Sequence, residues 1–130
     1  MIARDTNVLA RLPLKDKAAQ HARVEALLKT HQTFTAPPTV FLELVWVLEA
    51  NDATPAEISQ GLTKLLGLPN FSPPDANAIR QALHAYTQGM DFADSLHLAL
   101  SSSDQAMMTF DRAFVRRAGK QALTPKVVSA

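Results

Sequence analysis

Short apolar strands alternate with helical segments along this chain, which predicts an α/β fold with a mainly parallel sheet. The expected domain is single, spans residues 1–130, and has four to five short strands with helices on both faces. Three observations support it. A chain of 130 residues with 47% hydrophobic and 19% charged residues is enough for one sizeable core. Strand-like runs recur between helical stretches instead of clustering. No internal repeat, low-complexity tract or linker divides the sequence.

Met1 to Arg4 reads as a short strand running into Asp5. Thr6 to Leu12 suits a turn into a short helix, interrupted by Pro13. From Asp16 to Thr30, Ala19, Ala22, Ala26 and Leu27 recur on one helical face, with charges on the other. Thr33 to Ala36 is the next strand, stopped by Pro37 and Pro38. Thr39 to Ala50 is apolar on nearly every side, which predicts a central, buried helix with Trp46 in the core.

Thr54-Pro55-Ala56-Glu57 carries an N-cap, a proline at N1 and a reciprocating acid at N3. Its helix runs to about Leu66 and is ended by Gly67 and Pro69. Asn70-Phe71-Ser72 is a short edge strand by pattern. Asp75 to Gln88 is a helix with Ala78, Ile79, Ala82, Leu83 and Tyr86 inward, and Gly89 fits its C′ position. Asp91 opens the next helix, whose residues Leu96, Leu98, Ala99 and Leu100 demand burial. Its His97 reads as a packing histidine. Asp104 belongs to a turn. Ala106 to Thr109 reads as a buried strand delivering Asp111, followed by a helix from Ala113 to Ala118 and a strand at Lys126 to Val128.

Charge and composition bound the function. There is no cysteine, so disulfides and thiolate metal sites are excluded. The N-terminus meets a charge too early for a signal peptide, and no apolar run reaches membrane-spanning length. A cytoplasmic protein that does not engage membranes is expected. The net charge of +1 hides a segregation. Between Leu65 and Asp111 the only basic side chain is Arg80, whereas no acid follows Asp111 and Arg112, Arg116, Arg117, Lys120 and Lys126 do.

The acids carry the sharper signal. Glu43 is the only charge between Val40 and Leu48, with Val40, Trp46 and Val47 as helical neighbours. A lone carboxylate in such a setting needs protonation, a partner or a metal. Asp91 and Asp94 share one side of a helix start, where capping is the simpler explanation and metal binding the other. Asp5 and Asp111 both follow strands, and ligand sites in parallel sheets lie beyond the strands' carboxyl ends. Gathering Asp5, Glu43, Asp94 and Asp111 in one crevice is repulsive. Unit charges at close range repel by roughly 4 kcal/mol at an effective dielectric near 20, and a dication reverses the sign. An all-oxygen donor set points to Mg²⁺ or Mn²⁺, and the associated chemistry is phosphodiester hydrolysis.

Four stretches taken in order then resemble a known family: Met-Ile-Ala-Arg-Asp-Thr-Asn-Val-Leu, Phe-Leu-Glu-Leu-Val-Trp-Val-Leu, Asp-Phe-Ala-Asp-Ser-Leu-His-Leu-Ala and Thr-Phe-Asp-Arg. They are similar to the motifs of PIN-domain nucleases, and most of all to the VapC-type toxins of bacterial toxin–antitoxin systems. The resemblance runs from about Met1 to Gly119. It implies a PIN-like fold and a Mg²⁺- or Mn²⁺-dependent endoribonuclease acting on structured RNA such as tRNA or rRNA. It also implies a homodimer and a cognate VapB-like antitoxin, with which the toxin forms a hetero-oligomer.

By position in the motifs, Asp5, Glu43, Asp94 and Asp111 are the implied catalytic and metal-binding acids. Asp91, Asn7 and Thr109 are the expected supporting residues, and the basic stretch after Asp111 offers Arg112, Arg116, Arg117 and Lys120 as the expected contacts to RNA phosphates. Arg4 departs from the pattern, which has an apolar residue there, and Glu49-Ala50-Asn51-Asp52 is more acidic than the pattern leads one to expect. Two other readings compete. Asp5-Thr6-Asn7-Val8 is similar to the opening motif of haloacid-dehalogenase-type phosphatases, but Asn7 stands where those enzymes carry a second Asp. A non-catalytic module binding RNA or a protein partner would have no need of the four acids.

Overall fold

The computed structural model describes residues 2–3, 26 and 33–130. Its elements in order are β1 (Ile2–Ala3), β2 (Phe34–Thr35), α1 (Pro38–Ala50), α2 (Pro55–Leu66), α3 (Ala76–Thr87), α4 (Phe92–Leu100), β3 (Ala106–Thr109), α5 (Arg112–Lys120) and β4 (Lys126–Ser129). Of the helix expected from Asp16 to Thr30, Ala26 alone is described, and it is helical. Arg4, Asp5 and the expected short helix at Thr6 to Leu12 lie outside the described residues. The chain divides into two compact units, Met1–Ala76 and Asn77–Ala130.

In the first unit β1 and β2 are parallel, Ile2 opposite Phe34 and Ala3 opposite Thr35. Phe71 adds a parallel bridge to Phe34, closed by Phe34 N–H to Asn70 O at 2.6 Å and Ser72 N–H to Phe34 O at 2.8 Å. The Asn70–Ser72 segment is thus a single bridge, shorter than a strand. Helix α1 buries Phe41, Leu44, Val45 and Leu48, the spacing of one helical stripe. Phe41 meets Phe71 edge to face, with centroids 6.2 Å apart.

The rest of α1 corrects the expectation of an all-round buried helix. Trp46 is 74% exposed, and Glu43, three residues earlier, is also exposed. One stripe satisfies the core, and this helix carries more apolar residues than its stripe can use. Helix α2 begins as its sequence predicts. Glu57 N–H donates to Thr54 Oγ1 at 3.2 Å and Thr54 N–H to Glu57 Oε1 at 2.9 Å. Hydrogen bonds to its carboxylate, first from the Thr54 backbone N–H and then from the Thr54 side chain, hold Glu57 below its ordinary pKa.

In the second unit β3 and β4 are parallel, from Ala106 opposite Lys126 to Thr109 opposite Ser129. All described strand pairings are therefore parallel, but the strands form two pairs of two. Ala85, Met90, Leu98, Phe114, Ala118 and Val127 make one buried cluster, with Met107, Val115 and Leu123 packed at its edge. Strand β3 is not buried throughout, as its apolar run had implied. Met107 packs inward while Met108 is 70% exposed, the period-2 alternation that two adjacent methionines conceal.

Three helices end in the same device. After α3, Met90 N–H bonds Ala85 O and Gly89 N–H bonds Tyr86 O, both at 3.1 Å. After α1 the pairs are Ala53 to Leu48 and Asp52 to Glu49, and after α5 they are Leu123 to Ala118 and Ala122 to Gly119. Each is a Schellman ending, with the C′ residue at positive φ: Gly89 at 105°, Asp52 at 65° and Ala122 at 54°. This gives Asp52 a structural role in a segment that is unexpectedly acidic. Ala122 has no polar side chain to ease that conformation. Left-handed backbone costs an L residue roughly 1–2 kcal/mol, whereas glycine's extra freedom in the unfolded chain costs about 0.5–1 kcal/mol. Ala122→Gly is therefore expected to stabilise the protein by about 0.5 kcal/mol, read as a higher urea midpoint at unchanged m. A lower midpoint would remove the strain argument.

Candidate functional site

Two helix starts in the second unit present the acids. Tyr86 of α3 packs edge to face on Phe92, centroids 5.7 Å apart, and this fixes the first residue of α4. Asp91 is its N-cap, with Oδ2 accepting from Asp94 N–H at 3.1 Å. Ser95 is the buried polar residue of this turn, and its Oγ donates to Asp91 O at 2.8 Å. These bonds hold Asp94 in the first turn, half-buried, while Asp91 stays exposed.

The second helix start follows β3. Thr109 O accepts from Ala130 N–H at 2.8 Å, and Thr109 Oγ1 accepts from Asp111 N–H at 3.0 Å. Asp111 then caps α5, its Oδ1 accepting from Phe114 N–H at 3.1 Å. Asp91 and Asp111 thus play the same role on two helices, each committing one carboxylate oxygen to a backbone amide.

Electrostatics ties the two starts together. Asp94 has its pKa raised above the ordinary 3.8, first by burial, then by the negative charges of Asp91 and Asp111. His97 and Arg117 pull the other way. Asp91 and Asp111 therefore both lie within electrostatic reach of Asp94. His97 itself is exposed on the polar side of α4, which corrects its reading as a packing residue.

The remaining candidates fall elsewhere. Asp5 and Asn7 lie outside the described residues. Glu43 belongs to the first unit and is exposed, so the cost of burying a lone carboxylate, on which its sequence reading rested, does not arise. Arg112, Arg116, Arg117 and Lys120 are all exposed on α5. Among the described residues, no three His, Cys, Asp or Glu side chains form a group able to hold a metal ion. The described acids are at most part of a donor set. An all-oxygen pair of mutually repelling carboxylates, Asp94 and Asp111, nonetheless suits a hard dication.

A PIN-domain family model matches residues 2–120, nearly the whole chain and every motif named above. The chain belongs to the PIN-domain family. PIN domains are generally Mg²⁺-dependent nucleases that act on RNA or DNA. Comparison with curated proteins gives no match. No helix among the described residues is long and apolar enough to cross a membrane.

The raised pKa of Asp94 has a definite sign for this PIN domain. The folded state holds that proton more tightly than the unfolded state does. Its contribution to stability is therefore complete below 3.8 and is lost as pH rises through the raised value. In EDTA, the melting temperature of the wild type relative to Asp94→Asn should fall as pH goes from acid to neutral. A difference that does not change with pH would mean that the carboxylate feels no crowding.

Proposed function

We propose that this PIN domain is the toxin of a type II toxin–antitoxin system, a Mg²⁺- or Mn²⁺-dependent endoribonuclease of VapC type. The observation that carries the reading is the crowded carboxylate at Asp94. It is half-buried at a helix start against two like charges, in the third of four ordered family motifs. A fold that keeps such a group gains most when a cation shares the site.

Asp5, Asp94 and Asp111 would hold the ion, with Glu43 contributed from the second motif. A bound dication would polarise the phosphate and supply a nucleophile from water at neutral pH. The chain's own part is to fix the acids. Asp91 sets the start of α4, Thr109 sets the backbone of Asp111, and Asn7 would orient Asp5. Arg112, Arg116 and Lys120 form an i, i+4, i+8 row on α5, a helix with no acidic residue of its own. Like charges so spaced destabilise a helix by a few tenths of a kcal/mol per pair, and RNA phosphates are the counter-charge this row fits. Structured RNA such as tRNA or rRNA is the expected substrate. A homodimer and inhibition by a VapB-like antitoxin complete the proposal, with a cytoplasmic location.

The test is cleavage of structured and unstructured RNA by the purified chain with Mg²⁺, Mn²⁺ or EDTA. Cleavage should require the metal. Asp5→Asn and Asp94→Asn should each lower it by about a hundredfold or more while remaining folded. Cleavage that persists in EDTA, or wild-type rates from either variant, would refute the assignment.

A further inference from the structure

The second unit holds a groove of about 640 Å³ on the side where α3 and α5 end. His84, Gln88, Arg117, Lys120, Gln121 and Leu123 line it, together with the Gly89 turn. Helix C-termini normally present bare carbonyls, which repel anions. Here most of those carbonyls are occupied. Gly89 and Met90 N–H groups cover Tyr86 O and Ala85 O, and Ala122 and Leu123 N–H groups cover Gly119 O and Ala118 O. Gln121 Nε2 reaches across to Ala85 O and Gln88 O, at 3.3 Å each, tying the two helix ends together.

What remains facing the groove is cationic or neutral. Arg117 and Lys120 sit three residues apart on α5, His84 enters from α3, and no acid is among the lining residues. The dipole of α5 accounts for a basic residue in its last turn. The dipole of α3 accounts in the same way for His84 in its own last turn, but neither dipole accounts for a cavity that brings the cations of the two ends together. Arg117 also connects the groove to the acids, because its charge acts on Asp94.

We propose that this groove binds a phosphate group, contributed by the nucleic-acid backbone next to the cut. Naming nucleic acid as the source rests on the nuclease reading; the phosphate chemistry rests on the groove alone. The occupant lies at the basic end of α5, away from Asp111 at its start, so a strand running along this helix has its flanking phosphate held while another meets the acids. Gln88 supplies a neutral donor, Gln121 holds the two helix ends together, and Leu123 closes the groove with an apolar contact.

The experiment uses the full chain carrying Asp94→Asn, in EDTA, with a short single-stranded oligoribonucleotide across a salt series. Adding Lys120→Gln or His84→Gln should weaken binding about three- to tenfold. Lys120→Gln should also flatten the salt slope by about 0.7–1. Arg80→Gln, outside the groove, should change neither. Inorganic phosphate, followed through the His84 ring resonances, separates the sources. Saturation by phosphate with RNA affinity unchanged in the variants would leave a phosphate site but overturn its nucleic-acid occupant. Wild-type RNA affinity and slope in the double variant, with His84 unmoved by phosphate, would overturn the proposal entirely. Metal-dependent cleavage by the wild type is scored separately. If cleavage holds and these effects are missing, only the groove falls; if cleavage is absent and the effects appear, only the nuclease reading falls.

Discussion

Asp94 is a carboxylate placed where the surrounding fold makes its charge unfavourable, and much of the second unit's local structure serves to keep it there. Burial and two neighbouring negative charges raise its pKa. A free surface helix would relieve this by turning the side chain outward. Here the turn is pinned: Phe92 is held under Tyr86, Asp91 caps the amides, and buried Ser95 ties back to Asp91 O. The local bonds of the helix start are thus spent on fixing an anion in an anionic setting. A positive ligand would relieve such an arrangement, and PIN-domain nucleases generally use divalent metal ions.

The caps have two consequences. N-caps are stabilising, and each helix N-terminus favours nearby negative charge by about 0.3–1 kcal/mol. Asp91 and Asp111 therefore meet the cost of bringing acids together from within their own helices. One oxygen of each is bound to an amide, which restricts the carboxylate's rotation and leaves the other oxygen unassigned by that bond. The capping explanation and the metal explanation, alternatives in the sequence, are compatible in the fold: a capping aspartate is one whose orientation is already decided.

Local chemistry was the legible part of this chain. The Thr54–Glu57 capping box, the glycine turn at Gly89, the Asp91 cap and the inward residues Ile79, Ala82, Leu83 and Tyr86 all depend on neighbours within about four residues and appear as read, with Ala78 of the same set only half-buried. Errors arose where a side chain's environment is set by distant parts of the chain. Trp46, Met108 and His97 lie in apolar runs, but burial depends on what packs against each face, which periodicity cannot supply when both faces are apolar. Glu43 was singled out by the same argument and is exposed for the same reason. The Schellman endings at Asp52 and Ala122 were invisible because neither residue is the glycine that announces such a turn. The groove at the end of α5 escaped because His84 and Lys120 are far apart in sequence and join only through the two helix ends.

Helix α5 explains why the charge segregation in the sequence is useful. Asp111 caps its start and its last turn carries Arg117 and Lys120, as its own dipole favours, while Arg112 in the first turn runs against that dipole. Stability and recognition therefore ask for the same pattern. Under the proposed function a polyanion meeting this helix would find cations from Arg112 to Lys120, with the acids Asp94 and Asp111 beside the helix start. It would settle near those acids more readily with a cation between them. In the proposed reading a bound metal would serve binding as well as hydrolysis, because the basic last turn attracts a phosphate that uncompensated acids repel. Under the proposed function, cation before productive strand is the order of events that the charges of Asp94, Asp111 and the α5 cations favour.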